Sequence, residues 1–571
     1  MDIPPYRLQV NTFRKKLTTL YTSLSGARVL ALFMLLILSI GCIFVALIIV
    51  NSQFLVPTPT YGGAIHEGIL GTPRFINPVL ATSEQDKDLT NLIFAGLTKR
   101  NKDGIFILDM AENVEESEDH LKYVVTLKKE AVFHDGEKVI SDDVLYTVGL
   151  IQNPLIKSPH HIEWEGIALE KKSDSEIVFT LKKPFPLFMK NLSIGILPKH
   201  IWKNLTEDQI SLSDFNIHAI GSGPYSIQNI VTESGIPTLF TLQSYDHYTL
   251  GRPYVNTISI STYQNEKYML QAFSNSDITR IHGVSPEKIS TFGLATSSIT
   301  LSLLPRTFAI FFNPNKLAPL ADKNTRQALQ LAINKQAIVD QVLYKYGKVI
   351  TAPYPFDEES EQSEYNPEKA KEMLLKQKTS KNASSTLTIT LATANTDEMK
   401  KVAEMIRANW EAIGVKTTIS IYEVSDLNQN IIKERDFQAL LFGAITQSPA
   451  DLYAFWHSSQ RSYPGLNISN YVSKSLDEDL ETLRTSTDPE KQLAAYTLVR
   501  KEFAEETPGI FLYSPQLIYI TNDKISTFLP RFSYDNSSRF MLVESWYRYK
   551  DMVWPKTYYK PLVEMLENII H

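Results

Sequence analysis

Between Leu121 and Tyr146 the chain alternates, turns once and then changes period, and few folds accommodate that combination. Leu121, Tyr123, Val125 and Leu127 fall on one side of a period-two strand, with Lys122, Val124 and Thr126 on the other, as in a sheet buried on one face. Asp135-Gly136 follows as a tight turn, in which glycine supplies a positive φ that a side chain resists. A helix is then expected to open with Ser141 as its cap and Asp142 and Asp143 in its first turn, where the helix dipole favours negative charge. His134 and Asp135 have no nucleophile or third partner near them in sequence, so the segment reads as scaffold rather than a catalytic pair.

At 571 residues the chain exceeds what one core usually holds, and two or three domains are expected. Hydrophobic residues at 43% and charged residues at 21% describe a folded protein, not a disordered one. A net charge of -6 carries no nucleic-acid footprint.

Residues 29–50 form an almost unbroken apolar run without charge, which as a helix spans roughly 33 Å, enough for a bilayer core. Arg7, Arg14, Lys15, Lys16 and Arg28 precede it against Asp2 alone, so the N-terminus is expected in the cytoplasm and the bulk of the chain outside the membrane. Leu38-Ser39-Ile40-Gly41-Cys42 offers a second reading as a lipidation signal, and a cleaved signal peptide is a third. Ser39 stands where a lipobox prefers leucine, and the apolar run continues past Cys42 to Val50, which favours a retained anchor. Cys42 is the single cysteine, so no intrachain disulfide can form.

Beyond the anchor, Pro57-Thr-Pro-Thr60 reads as a short stiff spacer. Gly221-Ser-Gly-Pro-Tyr225 is a turn into a strand, better explained by packing than by phosphate binding, since no G-x-G-x-x-G or Walker pattern surrounds it. Thr307 to Asn313 is a continuous apolar strand of the buried kind, and Asn324 to Asn334 a helix. Leu387, Ile389 and Leu391, then Val402, Ile406 and Ile413, then Val415, Thr417 and Ile419 describe a βαβ unit ending its helix at Gly414. His160-His161 with Glu163 lacks a matching second pair and reads as a surface loop rather than a metal site; no metal or other cofactor is expected.

The ordered set of Phe133-His-Asp-Gly136, Ser141-Asp-Asp-Val144, Gly221-Ser-Gly-Pro-Tyr225, the apolar strand before Asn313, the Arg326-Gln-Ala-Leu helix and Asn366-Pro-Glu368 resembles extracytoplasmic solute-binding protein family 5. Members of that family serve oligopeptide, dipeptide and nickel importers of the ABC class. The resemblance implies an α/β, two-lobed periplasmic-binding-protein-like fold of type II with an inserted subdomain, here preceded by one transmembrane helix. The map it implies is a cytoplasmic segment 1–28, an anchor 29–50, a linker 51–61, lobe I from 62–80, 221–304 and 515–550, an insertion 81–220, lobe II 305–514 and an amphipathic tail 551–571.

In the family's peptide binders an aspartate at a strand end holds the ligand's free amine. Matching Pro449 to the motif places Ile445 at that position, with Ser448 and Ala450 for the flanking acids. An ammonium buried there without a counter-charge costs several kcal/mol. The ligand-lining candidates carried over are Phe442, Gly443, Ala444, Ile445 and Thr446, Tyr513 at the second crossing, and Arg280 and His282 after Asp277. The expected role is a monomeric, membrane-anchored binding component that delivers a peptide or peptide-like solute to an ABC permease, without enzymatic activity. The alternative is a signalling or assembly module that keeps the fold.

Overall fold

The computed structural model describes residues 25–185, 188–291, 299–356, 364–380, 386–530 and 533–553. The tail expected at 551–571 lies outside the described residues beyond Val553, as does the basic segment from Arg7 to Lys16.

Two units are separable. The first holds the helix Gly26–Phe54, one continuous element through Gly41 and Cys42, and it alone among the described helices is long and apolar enough to cross a membrane. Next to it in sequence, Val56–Thr60 pairs antiparallel with Tyr549–Val553, from Val56↔Val553 to Thr60↔Tyr549. The proline spacer is therefore a strand of a two-stranded ribbon rather than a free linker. Pro57 and Pro59 lie two residues apart, so their missing N–H groups fall on the same edge and leave the other edge able to pair.

The second unit runs from Tyr61 to Arg548. Its strands form one path in which Gly509–Thr521 is shared. The first half of that strand pairs with Arg306–Phe312, through Phe308↔Tyr513, and the second half with Ile299–Leu303, through Leu303↔Gln516. On one side lie the parallel pair Thr388–Ala394 and Lys416–Tyr422, with Ala439–Ile445; on the other lie Arg280–His282, Ala64–Leu70, Thr257–Tyr263 and the hairpin Tyr225–Glu233 with Ile236–Ser244. Two large hydrophobic cores match this split, beside a smaller cluster around Met269, Ile281 and Ile520. One gathers Ile65, Val125, Phe179, Ile260 and Trp546, so the residues of the 111–180 sheet share a core with the first lobe; the other gathers Ala309, Ile389, Trp410, Leu441 and Tyr513. The chain passes between them twice, at 303–306 and at 513–516.

The strand Lys122–Leu127 buries Tyr123, Val125 and Leu127 as its alternation predicts. The helix after it differs at its start. Ile140, not Ser141, is the cap residue, because the extended backbone at Ile140 presents its N–H to the Asp143 carboxylate at 2.9 Å. The other oxygen of Asp143 accepts from the Lys199 N–H at 2.8 Å, tying this helix to the next segment. Phe133-His-Asp-Gly136 docks on the Gly221 turn: His134 Nδ1 accepts from the Gly221 N–H at 3.3 Å and Nε2 donates to the Gly223 carbonyl at 3.1 Å. That pattern needs a neutral ring, and burial lowers the His134 pKa to about 4. A Cβ on Gly221 would lie 2.1 Å from the Ile93 carbonyl oxygen, which explains the glycine by close packing.

Candidate functional site

The strands Thr388–Ala394, Lys416–Tyr422 and Ala439–Ile445 run parallel, so their C-terminal ends open on the same edge of the second lobe. Ligands of open α/β sheets collect beyond such ends. Ile445 closes its strand there, opposite Arg306, and is 54% exposed, an apolar side chain facing solvent at a strand end. Phe442, Gly443 and Ala444 before it are half-buried, and the Gly443 backbone lies against the Phe308 ring. Thr446 is buried, its hydroxyl donating to the Pro353 carbonyl at 3.1 Å and its N–H to the Pro305 carbonyl at 2.9 Å. The carbonyl of Pro353 also accepts from the Thr307 hydroxyl at 3.1 Å, so Thr446 pins the strand end to the crossing segment.

Asp451 closes the turn that follows. One of its oxygens accepts from the N–H groups of Gln447 and Ser448 at 2.7 and 2.9 Å. The carboxylate therefore faces its own turn and does not replace the strand-end aspartate.

Tyr513 is interior. Its ring stacks on Phe308 at 4.9 Å and its hydroxyl donates to Glu398 at 2.8 Å. Burial and the neighbouring Glu398 hold its pKa well above the ordinary phenol value, so it remains a donor. Arg280 and His282, expected in the cleft, are interior instead. The Arg280 guanidinium, 0% exposed, grips Asp523 at 2.6 and 2.8 Å, and His282 lies 3.3 Å from the buried carboxylate of Asp88. Both belong to a charged network with Tyr519, Glu67 and Arg539, and their partners are remote in sequence. His160 and His161 diverge, one meeting Glu163 and the other the Ile151 carbonyl.

A cavity of about 360 Å³ lies in the first lobe and its insertion, lined by residues such as Lys87, Arg100, Tyr248 and Tyr534, and Gln447 alone among its described lining residues comes from the second lobe, just past the strand end. Its volume lies within the range of small-molecule sites, about 300–1,000 Å³. Lys99 in its wall pairs with Glu544 at 2.8 Å and Tyr248 donates to Asp109 at 2.9 Å. Burial raises the Asp109 pKa, against the pull of Lys99. Arg100 is held between Tyr534 and Phe106, 3.5 and 4.4 Å from the ring centres. Neither Arg100 nor Tyr534 is announced by the sequence, because no local motif surrounds either and they meet only in the fold.

Two lobes with separate cores, joined by two crossings, form the architecture of a solute-binding protein. Residues 106–464 match the model of bacterial extracellular solute-binding proteins, family 5. The chain belongs to that family. This family-5 chain is 28% identical over 482 residues to the oligopeptide-binding protein AppA of Bacillus subtilis, spanning 80% of this chain and 87% of the relative. The structure of that AppA in complex with a nonapeptide is similar with a TM-score of 0.64 at 26% identity, over 86% of this chain and 100% of that one. The substrate-binding protein CtaP of an ABC transporter from Listeria monocytogenes shares the fold with a TM-score of 0.72 at 22% identity, again over 86% and 100%.

Proposed function

We propose that this family-5 protein is the membrane-tethered, extracytoplasmic binding component of an ABC importer. It takes a peptide or peptide-like solute between its lobes and delivers it to the permease. Two lobes with separate cores, joined through the crossing strand Gly509–Thr521, carry this reading. Closure of such lobes is driven by the ligand's greater affinity for the closed form. Phe442, Gly443, Ala444 and Ile445 form the second-lobe side of the proposed site, with Thr446 and Tyr513 holding it in shape from behind. The helix Gly26–Phe54 acts as a retained anchor, supported by its continuation well past Cys42, with the N-terminus in the cytoplasm and the binding unit working as a monomer.

Binding is tested by melting the full chain in detergent with pooled peptides: saturation at 100 times Kd adds about 2.7 kcal/mol, read as a rise in Tm. No shift with any pool would set the importer reading aside. Ile445 at the strand end favours a second reading, a signalling or assembly module that keeps the fold without transport. Under that reading the cavity stays empty and the protein copurifies with a partner rather than a solute.

A further inference from the structure

The strand end beside Gln447 lacks the carboxylate a free amine needs. Ile445 offers no carboxylate at the strand end, and Asp451, the next acid, has one oxygen engaged by two backbone N–H groups of its own turn. Facing that turn from the first lobe is Arg100. Its polar neighbours are the Tyr534 hydroxyl and, further off, Tyr354 and Asp451; no carboxylate lies within ion-pair distance among the described residues. Lys87, also in the wall, likewise has no acidic partner among the described residues. By contrast the acids of the wall are engaged: Asp109 by Tyr248 and Thr249, Glu163 by Lys190, and Asp535 by Ser538.

Arg100 has no carboxylate partner among the described residues, and its guanidinium carbon lies 3.5 and 4.4 Å from the ring centres of Tyr534 and Phe106, contacts that restrain the side chain. That geometry suits bidentate capture of a carboxylate, at little cost in side-chain ordering. We propose that Arg100 is a carboxylate-binding residue of the cleft, and that the solute presents a carboxylate, not an ammonium, to the turn after Ile445. The ligand class is a peptide-like acid whose recognition does not depend on a free α-amine. This rests on the importer reading above and narrows its substrate.

The test uses the full chain in detergent and one randomised tetrapeptide pool prepared in four end forms: free or acetylated at the amine, and acid or amide at the carboxyl. Calorimetric titration is expected to give equal or tighter binding for the acetylated acid than for the free-amine acid. Each amide should bind about ten- to a hundredfold more weakly, the worth of a charge-assisted hydrogen-bonded pair. Arg100→Gln should erase the difference between acid and amide while leaving Tm in place, and a purely structural role for Arg100 would not move that ratio. Ile445→Asp, at an exposed position, should restore a preference for the free amine. Equal binding of acid and amide, or a strict need for the amine, overturns the inference while peptide binding itself stands. Failure of all four forms overturns both.

Discussion

At the scale of single residues, buried charge decides more than the motifs do. Arg539 donates from Nε to Glu67 at 2.6 Å and from its two terminal nitrogens to both oxygens of Asp88 at 2.7 Å, all fully buried. Burial alone would raise the Asp88 pKa, but Arg539 and His282 outweigh it and hold that carboxyl far below its usual range. Arg539→Met takes the guanidinium from two buried carboxylates, leaving His282 beside Asp88 and the Tyr519 hydroxyl on Glu67, and should cost about 3–5 kcal/mol, measurable by denaturant unfolding. Lys335 is the opposite case: buried, with only the Ile350 carbonyl, at 3.5 Å, as a hydrogen-bond partner among the described residues, and its pKa is lowered by burial to about 7. Its unfolded counterpart titrates near 10.4, so as pH falls the unfolded chain takes up the proton first and stability drops by about 1.4 kcal/mol per pH unit until the folded lysine also protonates. Lys335→Met should therefore stabilise the protein most at pH 7 and below, with the advantage shrinking towards pH 10. Equal Tm gains across that range would contradict the assignment. Neither environment is legible in sequence: Arg280 and His282 look like loop groups free to line a cleft because the acids that claim them, Asp523 and Asp88, come from distant segments.

At the scale of elements, period and turn chemistry carry far. The alternation of Lys122–Leu127, the βαβ unit and the apolar strand before Asn313 are all present where the pattern puts them. The exceptions have local causes, as at Ile140, where a carboxylate three residues on replaces the hydroxyl cap, and at Pro57 and Pro59, whose polyproline-like sequence is also compatible with an edge strand. The Gly221 turn shows why small residues are needed there. Gly221→Ala forces a Cβ into the Ile93 carbonyl and, with no flexible side chain to give way, should lower stability by about 1–3 kcal/mol and loosen the His134 clip. Chemical denaturation of the variant reads the cost, and an unchanged midpoint would show that the turn relaxes freely. The candidate site was legible only on its second-lobe side, where strand ends announce themselves. Arg100 and Tyr534 contribute through tertiary placement alone.

For the whole molecule, the two lobes touch through exposed ion pairs such as Arg306–Glu84 at 3.5 Å and Lys401–Glu287 at 3.1 Å. Exposed pairs of this kind contribute about 0–1 kcal/mol each and are screened by salt, so they do not lock the lobes. Opening is expected to be governed by the crossings at 303–306 and 513–516 and by the solute. Lys401→Ala should leave Tm essentially unchanged, and small-angle scattering should report a radius of gyration that falls on adding ligand in both proteins. The measurement that bears most directly on the central claim is native mass spectrometry of the protein as purified from its expression host. A population carrying one or more bound masses of peptide-like composition, lost on mild unfolding and regained on refolding with the same compounds, is the predicted result. A cleft that is empty as isolated and stays empty after incubation with a broad peptide mixture would contradict it.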